Sequence, residues 1–144
     1  MSNALSLIDT NILVYRYDYR FPQKQAIAQE VLRRGIAERS IRIPYQAIIE
    51  FVEATTRCRG LEAPLLEPAD SRREAEEMLT VFDVLYPSEA VLRLALRGAA
   101  AYQLRWFDAS IWAYAECFGL RQVISEDFEH GRLYGTVRVF NPFR

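Results

Sequence analysis

Short apolar runs alternate with helix-period segments from one end of the chain to the other, and this alternation restricts the fold more than any other feature. Residues 4–8 (ALSLI) make an apolar run too short for a helix, which predicts a buried strand ending on Asp9. Apolar residues then recur at helical intervals over 12–19 and again over 22–37, where Ile27, Val31, Leu32 and Ile36 share a face and Pro22 is placed to open the segment; a helical hairpin is expected. Residues 40–43 alternate as a second strand. Pro44 opens a helix on which Ala47, Ile48, Phe51, Val52 and Thr55 line one face while Glu50 projects from its flank.

Two prolines and a glycine between Gly60 and Pro68 predict a loop, followed by a helix whose start carries a capping-box pattern, Ser71 with Glu74. A third strand over 82–86 is stopped by Pro87, and Ser88 is placed to cap a long helix through Val91, Leu94, Ala95, Ala99 and Tyr102. A further helix over 107–118 has Gly119 as its left-handed stop, and strands over 122–125 and 136–140 complete the chain. Strand and helix in alternation predict an α/β fold of three layers, a mainly parallel sheet covered by helices on both faces. No linker is long enough to divide the 144 residues, so one domain over 1–144 is expected.

Composition narrows the function classes. A net charge of −1 excludes nucleic-acid binding by bulk positive charge, so any such binding has to be local. Lys24 is the sole lysine, and the arginines that make up the other basic residues suit bidentate phosphate contact, or reflect codon preference alone. Cys58 and Cys117 fall in apolar helical patterns without metal-ligand spacing, which predicts buried free thiols in a reducing compartment. The N-terminal MSNALSLIDTN has neither a basic region nor an apolar run fit for export, and no stretch approaches a membrane span; a cytoplasmic protein is expected.

Four acids stand out from this frame. Asp9 and Asp127 follow predicted strands, and in an open α/β sheet the functional crevice lies beyond the carboxyl ends of the strands. Asp108 starts one helix and Glu50 sits in the second turn of another, so both can lean toward that edge. Taken singly, each has an ordinary structural use: Asp108 as an N-cap, Asp9 in its Asp-Thr-Asn turn, Glu50 on a solvated helix face, Asp127 in an acidic loop with Glu126 and Glu129. Taken together they would repel by about 4 kcal/mol per pair at 4 Å, a penalty that a hard cation such as Mg²⁺ or Mn²⁺ removes. Such a cation can activate water against phosphorus. Thr10, Asn11 and Ser125 are neutral neighbours able to orient the carboxylates or to serve as turn and cap residues.

The motifs I-D-T-N-I-L at 8–13, Q-A-I-I-E-F at 46–51, W-F-D-A-S-I-W-A at 106–113, S-E-D-F at 125–128 and the terminal N-P-F, in this order and spacing, resemble those of PIN-domain ribonucleases of the VapC toxin type. The resemblance spans nearly the whole chain. It implies a three-layer α/β/α fold and Mg²⁺ or Mn²⁺ held by acids matching Asp9, Glu50, Asp108 and Asp127. It further implies endonucleolytic hydrolysis of single-stranded RNA, a homodimer that sets two acidic sites in one groove, and a cognate antitoxin protein that inhibits. Ser125-Glu126-Asp127 fits the family pattern with Asp127 as ligand, and Glu126 is expected to face solvent. Glu53 and Glu116 are spare acids on the same helical flanks.

Competing readings use the same residues. A PIN-like module that has lost catalysis would bind RNA or protein, but all four acids are present. A haloacid-dehalogenase phosphatase needs a second Asp two residues after its nucleophile, where Asn11 stands. A Cys–His enzyme would need His130 beside Cys58 or Cys117, and no GxxxxGK[ST] phosphate loop occurs. Tyr15, Tyr17, Tyr19 and Phe21, interleaved with Arg16 and Arg20, could stack on unpaired bases; core, dimer or antitoxin contact is the expected use.

Overall fold

The computed structural model describes residues 4–60 and 62–144; Met1 to Asn3, part of the segment read for an export signal, and Leu61, within the loop expected over 60–68, lie outside the described residues. The chain runs β1 (Ser6–Ile8), α1 (Thr10–Tyr15), α2 (Pro22–Glu38), β2 (Ile41–Pro44), α3 (Tyr45–Thr56), α4 (Pro68–Val81), β3 (Asp83–Leu85), α5 (Glu89–Tyr102), α6 (Trp106–Cys117), β4 (Gln122–Ile124), β5 (Leu133–Tyr134) and β6 (Val137–Phe140). The strands form one sheet in the order β3-β2-β1-β4-β6-β5. Among the described residues every strand pairing within this sheet is parallel except β5 with β6, which meet across a two-residue turn opened by Gly135 at φ +62°. The sequence pattern did not announce β5, because two residues carry no period.

Successive strand residues point to opposite faces, and the core divides accordingly. Leu7 and Val123 join Ile111, Trp112, Val137 and Val139 in a cluster under α5 and α6. Ile8 and Ile124 join Ile12, Leu13, Leu32, Phe51 and Met78 in a second cluster under α1 to α4. The result is a three-layer α/β/α sandwich. Helix α6 is packed almost all round over Ala109 to Ala115, while its first turn, Trp106 to Asp108, emerges from the core.

Caps follow the chemistry of the termini. The Ser88 hydroxyl accepts from Val91 N at the start of α5, and Gly119 takes φ +72° after α6. The capping box expected at Ser71 and Glu74 is not formed. Helix α4 starts at Pro68, whose missing N–H suits a first-turn position, so Ser71 lies inside the helix, fully buried, sharing a 2.8 Å hydrogen bond with Thr55. Glu74 instead accepts from the Tyr17 hydroxyl. The two cysteines are free, but Cys58 is exposed rather than buried, because the chain leaves α3 at Thr56 before reaching it.

Strand order decides where a crevice opens. The chain leaves β1 toward β2 on one side and returns later to β4 on the other, which makes the β1–β4 boundary the switch point of the sheet.

Candidate metal centre

Register brings the first acids together. Ile8 pairs with Ile124, and Asp9 N donates to Ile124 O at 3.1 Å, so Asp9 and Ser125 leave the sheet side by side. Asp9 caps α1 by accepting from Thr10 N at 2.6 Å. Asp127 follows two residues after Ser125, its N–H donating to the Ser125 hydroxyl at 3.0 Å. Asp108 sits in the first turn of α6, where the helix N-terminus favours a carboxylate.

One carboxylate oxygen each from Asp9, Asp108 and Asp127 lies within 4.8 Å of the others. They line a cavity of about 270 Å³ with Thr10, Glu50, Arg105, Trp106, Phe107 and Ile111. Burial falls along the set: Asp9 is 4% exposed, Asp108 half-buried and Asp127 exposed, so the cavity opens to solvent on the Asp127 side. Burial pushes the Asp9 carboxyl up to about 7; the Ser125 hydrogen bond pulls it down and the Asp127 charge raises it further. Burial also raises Asp108, against the opposing pull of Arg105, whose Nε donates to Asp108 Oδ2 at 3.0 Å.

Neutral donors fix the orientation. The Ser125 hydroxyl donates to Asp9 Oδ2 at 2.6 Å. The Asn11 amide donates to Asp127 Oδ2 at 3.0 Å and also approaches Ser125 Oγ and Asp9 Oδ2 at 3.2 and 3.4 Å. Thr10 serves a different acid: its hydroxyl donates to Glu50 Oε1 at 2.8 Å, while Gln46 Nε2 donates to Oε2. Held in this way, Glu50 lines the cavity wall but stays outside the three-acid set.

The other acids and aromatics go elsewhere. Glu126, expected in solvent, is half-buried and bonded to Tyr15 and Lys24, because α2 passes close enough to offer both partners. Glu53 pairs with Arg57 on the α3 flank, and Glu116 accepts from Thr136 N and Oγ1; neither enters the three-acid set. His130 Nδ1 accepts from Asn141 N, with its ring beside Phe140. In the aromatic run, Tyr15 packs edge-on to Phe21 and Phe143, and Tyr17 to Phe51, while Tyr19 and Phe21 remain exposed. Arg20 is engaged with Asp18 through two hydrogen bonds of 2.9 and 2.8 Å.

Three carboxylates, with no thiol or imidazole among them, form an oxygen set suited to a hard divalent cation. Any two of these charges 4.8 Å apart repel by about 3–4 kcal/mol at an effective dielectric of 20. A cation reverses that sign, and it would also offset the burial that, more than the neighbouring charges, lifts the Asp9 carboxyl. The residues therefore fit Mg²⁺ or Mn²⁺.

Sequence reasoning missed Arg105 and Gln46. Both were accessible, since Arg105 stands three residues before Asp108 and Gln46 four before Glu50, spacings that place partners together on a helix. Trp106 and Phe107, which open the motif at 106–113, stand exposed at the cavity rim.

A family model described as the PIN domain matches residues 6–135. Solved structures share the fold at low identity. A chain of a toxin–antitoxin complex from Klebsiella pneumoniae is 18% identical with a TM-score of 0.66, over 95% of this chain and 97% of that one. For DNA-bound VapBC from Salmonella typhimurium the figures are 14% and 0.69, over 94% and 96%. For FitAcB from Neisseria gonorrhoeae they are 20% and 0.66, over 96% and 99%. No curated protein matches the chain significantly.

Proposed function

The chain belongs to the PIN domain family, and on that premise we propose that it is a divalent-metal-dependent endoribonuclease, the toxin of a toxin–antitoxin pair, which hydrolyses single-stranded RNA. The observation that carries the proposal is the meeting of Asp9, Asp108 and Asp127 within 4.8 Å at the switch point of the sheet. These three would hold Mg²⁺ or Mn²⁺, with Glu50 completing the acidic wall of the cavity. When bound, the cation supplies a Lewis acid that activates water and offsets charge on the phosphodiester oxygens.

The chain's own residues do the rest. Ser125 and Thr10 N fix both oxygens of Asp9, so its orientation is set before substrate arrives. Asn11 ties Asp127 to the same strand end. Thr10 and Gln46 hold Glu50 on the opposite wall, where its carboxylate can accept a proton from a nucleophile. Arg105 at the rim can move from Asp108 to a substrate phosphate, where its planar fork gives two-point contact.

A second cavity of about 470 Å³ shares Thr10, Glu50 and Phe107 with the first and continues along Ile49, Ala54 and Arg57. Its mostly apolar wall suits a segment of a cognate antitoxin laid across the site. The similar chains from toxin–antitoxin complexes support that partner. Homodimer formation, which would set two acidic sites in one groove, and residence in the cytoplasm belong to the same proposal, as does the extent of one catalytic domain over residues 1–144.

Asp9→Asn removes a charge at nearly constant volume. It should abolish Mg²⁺-dependent cleavage of a single-stranded RNA while the circular dichroism spectrum stays that of the wild type. Undiminished cleavage by this variant would overturn the assignment. Intact RNA with the wild-type protein, alongside retained RNA binding, would select a catalytically inactive binding module instead.

A further inference from the structure

Two acids stand side by side after Ser125, and only one of them enters the metal-facing set. Glu126 is turned away by an interaction in which both of its oxygens are engaged. Lys24 Nζ donates to Oε1 at 2.8 Å, and the Tyr15 hydroxyl donates to Oε2 at 2.6 Å while accepting from Lys24 at 3.2 Å. The part-exposed ammonium also lies beside aromatic rings, with Nζ 4.9 Å from the centroid of Tyr15, 5.4 Å from Phe143 and 5.9 Å from Phe21. This is the sole lysine of the chain. Its partners come from the end of α1, the loop before α2, the loop after β4 and the C-terminal segment.

Resting on the reading of Asp9, Asp108 and Asp127 as the cation site, we infer that Lys24, Tyr15 and Glu126 form a positioning clasp that keeps Glu126 out of that site and presents Asp127 to it. The backbone explains how. Residues 125–127 are held at one end by Ser125, whose hydroxyl bonds Asp9 and Asp127 N, and in the middle by the clasp. With the side chain of Glu126 drawn toward α2, that of its successor is left for Asn11 and the three-acid set. Tyr15 also links the clasp to α1, the helix that Asp9 caps, so the two strand-end acids share one brace. Lys24, Tyr15 and Glu126 touch no reacting atom; they act through Asp127.

The test is Mn²⁺ binding by calorimetry, on the full chain at fixed pH, well below the melting temperature. Lys24→Met and Tyr15→Phe should each weaken binding of Mn²⁺ on the order of 10-fold, the usual effect of removing a group that orients a ligand. Lys24→Arg, which keeps the charge and the donors, should recover most of the loss. Lys24→Met combined with Glu126→Ala should be no weaker than the weaker single variant, since all remove one device. A general loss of packing would not be rescued by arginine with this selectivity. Should Lys24→Met fail to fold, Tyr15→Phe, which deletes one hydroxyl, decides the matter. Wild-type affinity in the folded variants overturns the clasp alone, whereas a wild-type protein that does not bind Mn²⁺ overturns the metal site and the clasp with it.

Discussion

Asp9→Asn should stabilise the metal-free protein at alkaline pH and destabilise it at acidic pH. In the folded chain the Asp9 carboxyl is raised from 3.8 to about 7, chiefly by burial. Below pH 3.8 both folded and unfolded chains hold the proton, and Asp9 contributes nothing to the pH dependence. Between 3.8 and 7 the unfolded chain releases it while the folded chain keeps it, so stability falls as pH rises. Above 7 the full loss persists, roughly three pH units at 1.36 kcal/mol each, or about 4 kcal/mol. Asparagine removes this penalty, but its amide would face two donors, Ser125 Oγ and Asn11 Nδ2, which now bond Asp9 Oδ2. Mismatched hydrogen bonds cost about 1–2 kcal/mol. The net gain at pH 8 is then about 2–3 kcal/mol, on the order of 8 °C in melting temperature for a chain of this size, and at pH 4 the sign reverses. Thermal melts in chelator at pH 4 and pH 8 read both signs. With Mn²⁺ added at pH 8, the wild type should gain stability and the variant little. An Asp9→Asn protein less stable than wild type at pH 8 in chelator would mean that ionised Asp9 carries no such burial penalty.

Three further outcomes are expected. Ser125→Ala removes the hydrogen bond that favours ionised Asp9, so that carboxyl rises further and the pH profile of Mn²⁺ binding should move to the alkaline side, as calorimetry across pH would register. Glu50→Gln should weaken Mn²⁺ binding less than Asp108→Asn, because Thr10 and Gln46 hold Glu50 outside the three-acid set; equal losses in binding isotherms would contradict this. Gly98→Ala in α5 would press a methyl into the Trp112 ring and should lower stability by about 1–3 kcal/mol in urea unfolding, with RNA cleavage below the melting point unchanged.

The layered fold was legible because its signals are local. Strand runs at 6–8 and 122–124, the Ser88 cap and the Gly119 stop are each written in neighbouring residues. The meeting of Asp9 and Asp127 followed from strand-end positions in a parallel sheet, since Ile8 and Ile124 in register leave Asp9 and Ser125 adjacent, and that of Asp108 from its place in the first turn of α6. What escaped depends on long-range side-chain competition. Glu50 lies outside the three-acid set with one oxygen bonded by Thr10, 40 positions away. Glu126 is drawn inward by Lys24, 102 positions earlier, and no spacing rule reaches that far. Ser71 matched a capping box by pattern, yet the proline three residues before it moved the helix start and turned the serine inward to Thr55.

Diffraction from crystals grown with Mn²⁺, collected near the manganese absorption edge, locates the cation on the chain. An anomalous peak within coordination reach of Asp9, Asp108 and Asp127, absent from Asp9→Asn crystals, is the expected result. No peak among those carboxylates at saturating Mn²⁺, or one bound elsewhere on the chain, would contradict it.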